Sequence, residues 1–134
     1  MKQKLYIFIF ISLFAMSCKT ASKLYQKGKY DEAVELAAKK LQKDPNDVKL
    51  ISIIQDAYAY AVNDHEASIK VIAKSNNELK WESMYYEYVS LQKMFDAINK
   101  VPSVRDIIRP ANYSSYLVTY SEKAGEVRYE RGMA

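Results

Sequence analysis

Few side chains in this 134-residue chain could do chemistry, and their spacing argues against a catalytic centre. Cys18 and His65 are the only cysteine and the only histidine. A lone thiol forms no disulfide within the chain, so Cys18 asks for another role. His65-Glu66 opens like the metal-binding helix pattern His-Glu-x-x-His, in which two imidazoles one helical turn apart hold zinc. Position 69 is Ile69, so the second imidazole is missing and no metal is expected. His65 follows Asn63-Asp64, which reads as a turn, and it is expected to be an ordinary surface residue there. Adjacent carboxylates such as Asp31-Glu32 suit the positive end of a helix dipole, a role that needs no active site. Neither a phosphate-cradling glycine loop nor a nucleophile elbow occurs. The expectation is a non-enzyme: no catalytic residues, no metal and no cofactor.

The first residues explain the cysteine. Lys2 and Lys4 precede an apolar run from Leu5 to Met16, and the small Ser17 stands just before Cys18. A positive start, a short apolar stretch and a small residue before the cut describe a secretory signal peptide. The run is too short for a permanent span, which takes about 20 apolar residues. Ala15-Met16-Ser17-Cys18 resembles the lipobox of bacterial lipoproteins, with Met16 in place of the usual small or branched residue. That resemblance implies cleavage before Cys18, with acyl chains (palmitate or similar) carried on the cysteine as a covalent lipid. Each buried methylene contributes about 0.8 kcal/mol, and stable anchoring takes more than one chain. A plain secretory signal with a stray thiol, or a short anchor helix, is the other reading. Lys19 follows the cysteine where aspartate would mark inner-membrane retention in some bacteria, so the expected place is the outer membrane of a bacterial envelope. Two of the 20 basic residues belong to this leader, which leaves the remainder only slightly positive against 16 acidic ones. Such a balance gives no basic footprint for nucleic acid.

The remainder is patterned for helices. Its three prolines and its few glycines fall at breaks: Gly28, Pro45, Pro102 and Pro110 punctuate the chain. Tyr30, Ala33, Val34, Ala37, Ala38 and Leu41 recur at spacings of three and four, a stripe that predicts an amphipathic helix. After Pro45, a second helix is expected to bury Leu50, Ile51, Ile54, Ala57, Tyr58 and Ala61, capped by Asn46 or Asp47. The turn at Asn63-Asp64 should then start a shorter helix through Ala67, Val71 and Ile72, ending at Ser75-Asn76-Asn77. Residues 78–99 present Trp81, Met84, Tyr88, Leu91, Phe95 and Ile98 on one face. Residues 101–111 read as an extended loop, because proline disfavours helix in the residue before it. Residues 112–134 fit a helix, although Tyr116-Leu117-Val118-Thr119-Tyr120 also alternates like a strand. Gly132-Met133-Ala134 reads as an interrupted helix, the expectation for a piece of something longer.

Leu24-Tyr25-Gln26-Lys27-Gly28-Lys29-Tyr30-Asp31-Glu32-Ala33-Val34, with Leu41 and Pro45 beyond, resembles the tetratricopeptide repeat (TPR). That repeat is a helix-turn-helix of about 34 residues. Gly28, Tyr30, Ala33, Leu41 and Pro45 stand at the matching intervals, with degenerate echoes at Tyr58, Ala67, Trp81 and Tyr88. Val62 and Met94 occupy the turn positions of the second and third repeats, where glycine belongs. The resemblance implies an all-α fold of antiparallel hairpins stacked as a short solenoid. The layout is then a signal peptide at 1–17, a lipidated linker at 18–22, repeats at 23–100, a loop at 101–111 and a helical segment at 112–134. It also implies a scaffold: helix A positions line a groove that grips a partner, here Lys49, Ser52, Asp56 and Tyr60. The expected partners are membrane lipid, through acylated Cys18, and an unidentified protein. Twelve tyrosines carry a different alternative, a glycan-binding lipoprotein that uses surface aromatics. Trp81 and Tyr88 lie on the core stripe, and Tyr86 lies off it, so Tyr86 is the surface candidate. A tethering module of a longer protein is the third alternative.

Overall fold

The computed structural model describes residues 20–132; Cys18 and the leader lie outside them. Six helices follow in order: α1 (Ala21–Gln26), α2 (Tyr30–Lys43), α3 (Val48–Ala73), α4 (Lys80–Asn99), α5 (Pro102–Ile108) and α6 (Ser114–Glu130). No strand occurs among the described residues, which settles the ambiguous segment 116–120 as helix. A helix directs Val118 away from Tyr116 and Tyr120, and Val118 is indeed exposed.

Local signals set the ends. The Thr20 hydroxyl accepts the Lys23 N–H at 3.1 Å to open α1. Gly28 turns the chain at φ 74°, a left-handed conformation that costs a residue with a Cβ about 1–2 kcal/mol. Asp31 and Glu32 occupy the first turn of α2, and Lys40 and Lys43 the last, each matched to the helix dipole. Asp47 caps α3 by accepting the Leu50 N–H at 3.1 Å. Ser75 and Asn77 fold the link to α4 through side-chain acceptors for the N–H groups of Asn77 and Leu79.

α1 and α2 form one antiparallel hairpin, and α3 and α4 form a second. α2 also packs on both α3 and α4, and α1 on α3. α5 lies against α3 and α4, while α6 packs on α4 alone. One apolar core runs through the whole. Ala33, Val34, Ala37, Ala38 and Leu41 from α2 meet Ile54, Ala57 and Ala61 from α3, and Leu91, Met94 and Ile98 from α4 close it. No polar or charged residue is buried among the described residues.

Three expectations fail. Asn63-Asp64 makes no turn, and α3 runs unbroken to Ala73. Asn and Asp cost a helix only up to about 0.7 kcal/mol each, and no glycine or proline stands between Pro45 and Pro102 to stop it. Helical phase then carries Ala67 and Val71 to the outside, and Ile69 is buried in their place. Val62 and Met94, the turn positions that the repeat resemblance implies, likewise make no turn: both lie inside continuous helices, and Met94 is fully buried. Residues 101–111 are not simply a loop, because α5 occupies Pro102–Ile108. Proline disfavours helix in the residue before it, and both such residues lie outside α5: Val101 is extended, and Arg109, which ends the helix, is left-handed at φ 51°. Between them Pro102 opens the helix, where its fixed φ is already helical, and Val101 and Val104 are buried.

Candidate functional site

His65 is not a surface turn residue. It sits within α3, its side chain only 17% exposed, between acids from two other helices. Nε2–H donates to Asp31 Oδ2 of α2 at 2.8 Å, and Nδ1–H donates to Glu87 Oε2 of α4 at 2.5 Å. Both ring nitrogens donate, so the ring is an imidazolium. The hydrogen bond to Asp31 is the main cause that raises its pKa to about 9; desolvation opposes, and the Glu87 bond adds. A ring nitrogen held this way has no lone pair for a metal or for base catalysis. Among the described residues no group of three or more potential ligands is arranged to hold a metal.

The groove positions lie together. Lys49, Ser52, Asp56 and Tyr60 are all exposed and form one row along α3. At the Tyr60 end the row meets α1 and the start of α2. Tyr60 stacks on Tyr30 at 5.1 Å between ring centroids, and Tyr25 of α1 tilts against both at 5.7 and 6.1 Å. Among the repeat positions, Ala33 and Leu41 are fully buried, Tyr58 and Trp81 are half-buried, and Pro45 is exposed. The Pro45 carbonyl accepts the Ser103 hydroxyl at 3.2 Å, which ties α5 to the turn before α3.

A second aromatic group holds α6. Tyr88 of α4 stacks nearly parallel to Tyr116 at 4.6 Å and to Tyr120 at 5.3 Å, two residues one turn apart on α6. Trp81 stacks on Tyr120 at 5.9 Å, with the Lys80 and Lys123 ammonium groups over its ring at 4.6 and 4.3 Å. Arg128 pairs with Glu82, and Arg131 donates to Glu78 through Nε at 2.6 Å. Tyr86 is 60% exposed, and among the described residues its one aromatic neighbour is Tyr85, edge-on at 5.5 Å. Sequence reading missed the His65 bridge and the α6 ladder, since both join positions at least 22 residues apart. The twelve tyrosines were the one signal that pointed toward the ladder.

The chain matches no protein-family model, no curated protein and no solved structure. No helix among the described residues is long and apolar enough to cross a membrane.

Proposed function

We propose that this chain is a lipid-anchored helical-repeat module of a bacterial envelope, non-enzymatic, which holds a protein partner on the face shared by α1 and α3. The observation that carries this reading is the exposed row Lys49, Ser52, Asp56 and Tyr60, with the Tyr25–Tyr30–Tyr60 group at its end. A row of basic, hydroxyl, acidic and aromatic side chains on one helix, flanked by a second helix, suits a peptide or a partner helix. The packing of α1 on α3 and of α2 on α4 supports a stacked, TPR-like arrangement in which α1 and α3 act as the groove helices. The second hairpin of that arrangement is α3 with α4, rather than a hairpin broken at Asn63-Asp64. Cys18, with the lipobox-like residues before it, supplies the tether to membrane lipid, and Lys19 favours the outer membrane.

Two measurements test it. Intact-mass analysis of membrane and soluble fractions compares wild type with Cys18→Ala; an acylated membrane species lost in the variant is the expected result. In-cell photo-crosslinking from position 52 should then trap one protein, and Asp56→Arg should suppress that adduct. A crosslink pattern indistinguishable from that of a probe at Glu126 on α6 would remove the groove reading.

A further inference from the structure

A cleft of about 320 Å³ opens between α3, α4 and the start of α6, on a stretch of α3 different from the groove row. Ile69 and Leu91 supply aliphatic walls, and Tyr88, Tyr113 and Tyr116 supply three aromatic rings. Tyr88 and Tyr113 are buried, whereas Tyr116 is 45% exposed and offers surface to a ligand. Glu66 and Lys70 stand one helical turn apart on the α3 rim, both exposed. Neither forms an ion pair among the described residues. Burial is the main cause that pushes the Tyr58, Tyr88 and Tyr113 phenols up, and the Glu66 charge acts on each in the same direction. The Tyr113 N–H donates to Gln92 Oε1 at 2.7 Å, which fixes the α6 side of the cleft to α4.

The chemistry of this lining narrows the ligand. Its size falls in the range of small-molecule sites. One acid and one base balance: a cation would face Lys70, and an anion would face Glu66. A purely apolar group would displace water from the Glu66 carboxylate and the Lys70 ammonium without replacing it, which costs affinity. A neutral ring with hydroxyls at its edge and C–H groups on its faces meets all of these demands. Its hydroxyls donate to Glu66 and accept from Lys70, and its C–H faces pack on tyrosine. We infer that this cleft binds one ring of a neutral sugar, with Glu66 and Lys70 reading the hydroxyls and Tyr116 packing against the ring. The site does not depend on the α1–α3 partner face, and either can fail alone.

The test is calorimetric titration of the full chain, held in a detergent without a sugar headgroup, with maltotriose, cellotriose and chitotriose in turn. Saturable binding of at least one is expected. It should weaken about tenfold or more in Glu66→Ala and in Tyr116→Ala, and hold in Tyr86→Ala. Glu66 is exposed on a helix that alanine favours, so Glu66→Ala keeps the test open if Tyr116→Ala loosens α6. The proposal is overturned by no saturable binding of any of the three, or by binding that both cleft variants leave intact. Tighter binding of spermidine or of a sulfated trisaccharide would overturn it too, since the cleft would then be reading charge.

Discussion

The stability of this bundle should fall as the pH rises from about 6.5 to about 9.5, through His65. Its imidazolium is held by Asp31 and Glu87, with a folded pKa of about 9 against an ordinary 6.5. The folded value lies above the unfolded one. The contribution is therefore complete below about pH 6.5 and is lost as the pH climbs through about 9. The shift corresponds to about 3 kcal/mol at full strength. The Asp31 carboxylate is 37% exposed and the Glu87 carboxylate 25%, so solvent screening reduces the expected contribution to about 1–2 kcal/mol. Burial pushes the Tyr58 and Tyr88 phenols up to about 12, and these act in the same direction, but only above about pH 10. The window below that belongs to His65. Urea unfolding of wild type and of His65→Gln, followed by circular dichroism across this window, isolates the effect. Wild type should lose about 1–2 kcal/mol relative to the variant between the two ends. Parallel pH profiles for the two proteins would refute the assignment of an imidazolium bridging three helices.

Other perturbations probe the packing. Ala37→Leu adds bulk at a position with no exposure and should cost about 1–3 kcal/mol in a denaturant midpoint experiment. Gly28→Ala meets no atom within 4 Å, so the left-handed φ alone should lower stability, by about 1–2 kcal/mol. α6 buries no residue and packs on α4 alone, so amides in 114–130 should exchange with deuterium well before those of α2 and α3. Equal protection across the three helices would contradict that. Glu82→Gln removes the partner of Arg128 and should speed α6 exchange further, by severalfold, while leaving α2 unchanged.

Where periodicity and caps act locally, the fold could be read directly. The α2 stripe from Ala33 to Leu41, the Asp47 cap and the Ser75–Asn77 break all stand as their residue types require. The continuity of α3 could not be read that way. Asn63-Asp64 has a weak preference for turns, and what overrides it is burial of Ala61 and Ile69 on either side, together with the His65 bridge. α5 escapes a local reading because Pro102 stands at a first helical position, where proline's fixed φ suits a helix, and Pro110 lies beyond the helix end. The candidate sites divide in the same way. The row on α3 was singled out through the repeat resemblance, and helical spacing is enough to place its four residues on one exposed face. The Glu66–Tyr116 cleft needs α6 docked on α4, a contact between distant segments that no local pattern announces.

The alanines of the α2–α3 seam have a consequence for how the helices keep their place. The antiparallel pairing that brings Asp31 to His65 buries Ala33, Ala37 and Ala38 of α2 in one core with Ala57 and Ala61 of α3. Small side chains let two backbones come close, but they offer shallow ridges and little resistance to axial slip. A slide by one turn, about 5.4 Å, would meet little steric resistance at those alanines. A slide of α3 against both neighbours would also pull the imidazolium from the two carboxylates. His65 therefore acts as a locating pin: a smooth interface sets how close the helices lie, and one charged ring sets where along their length they stop.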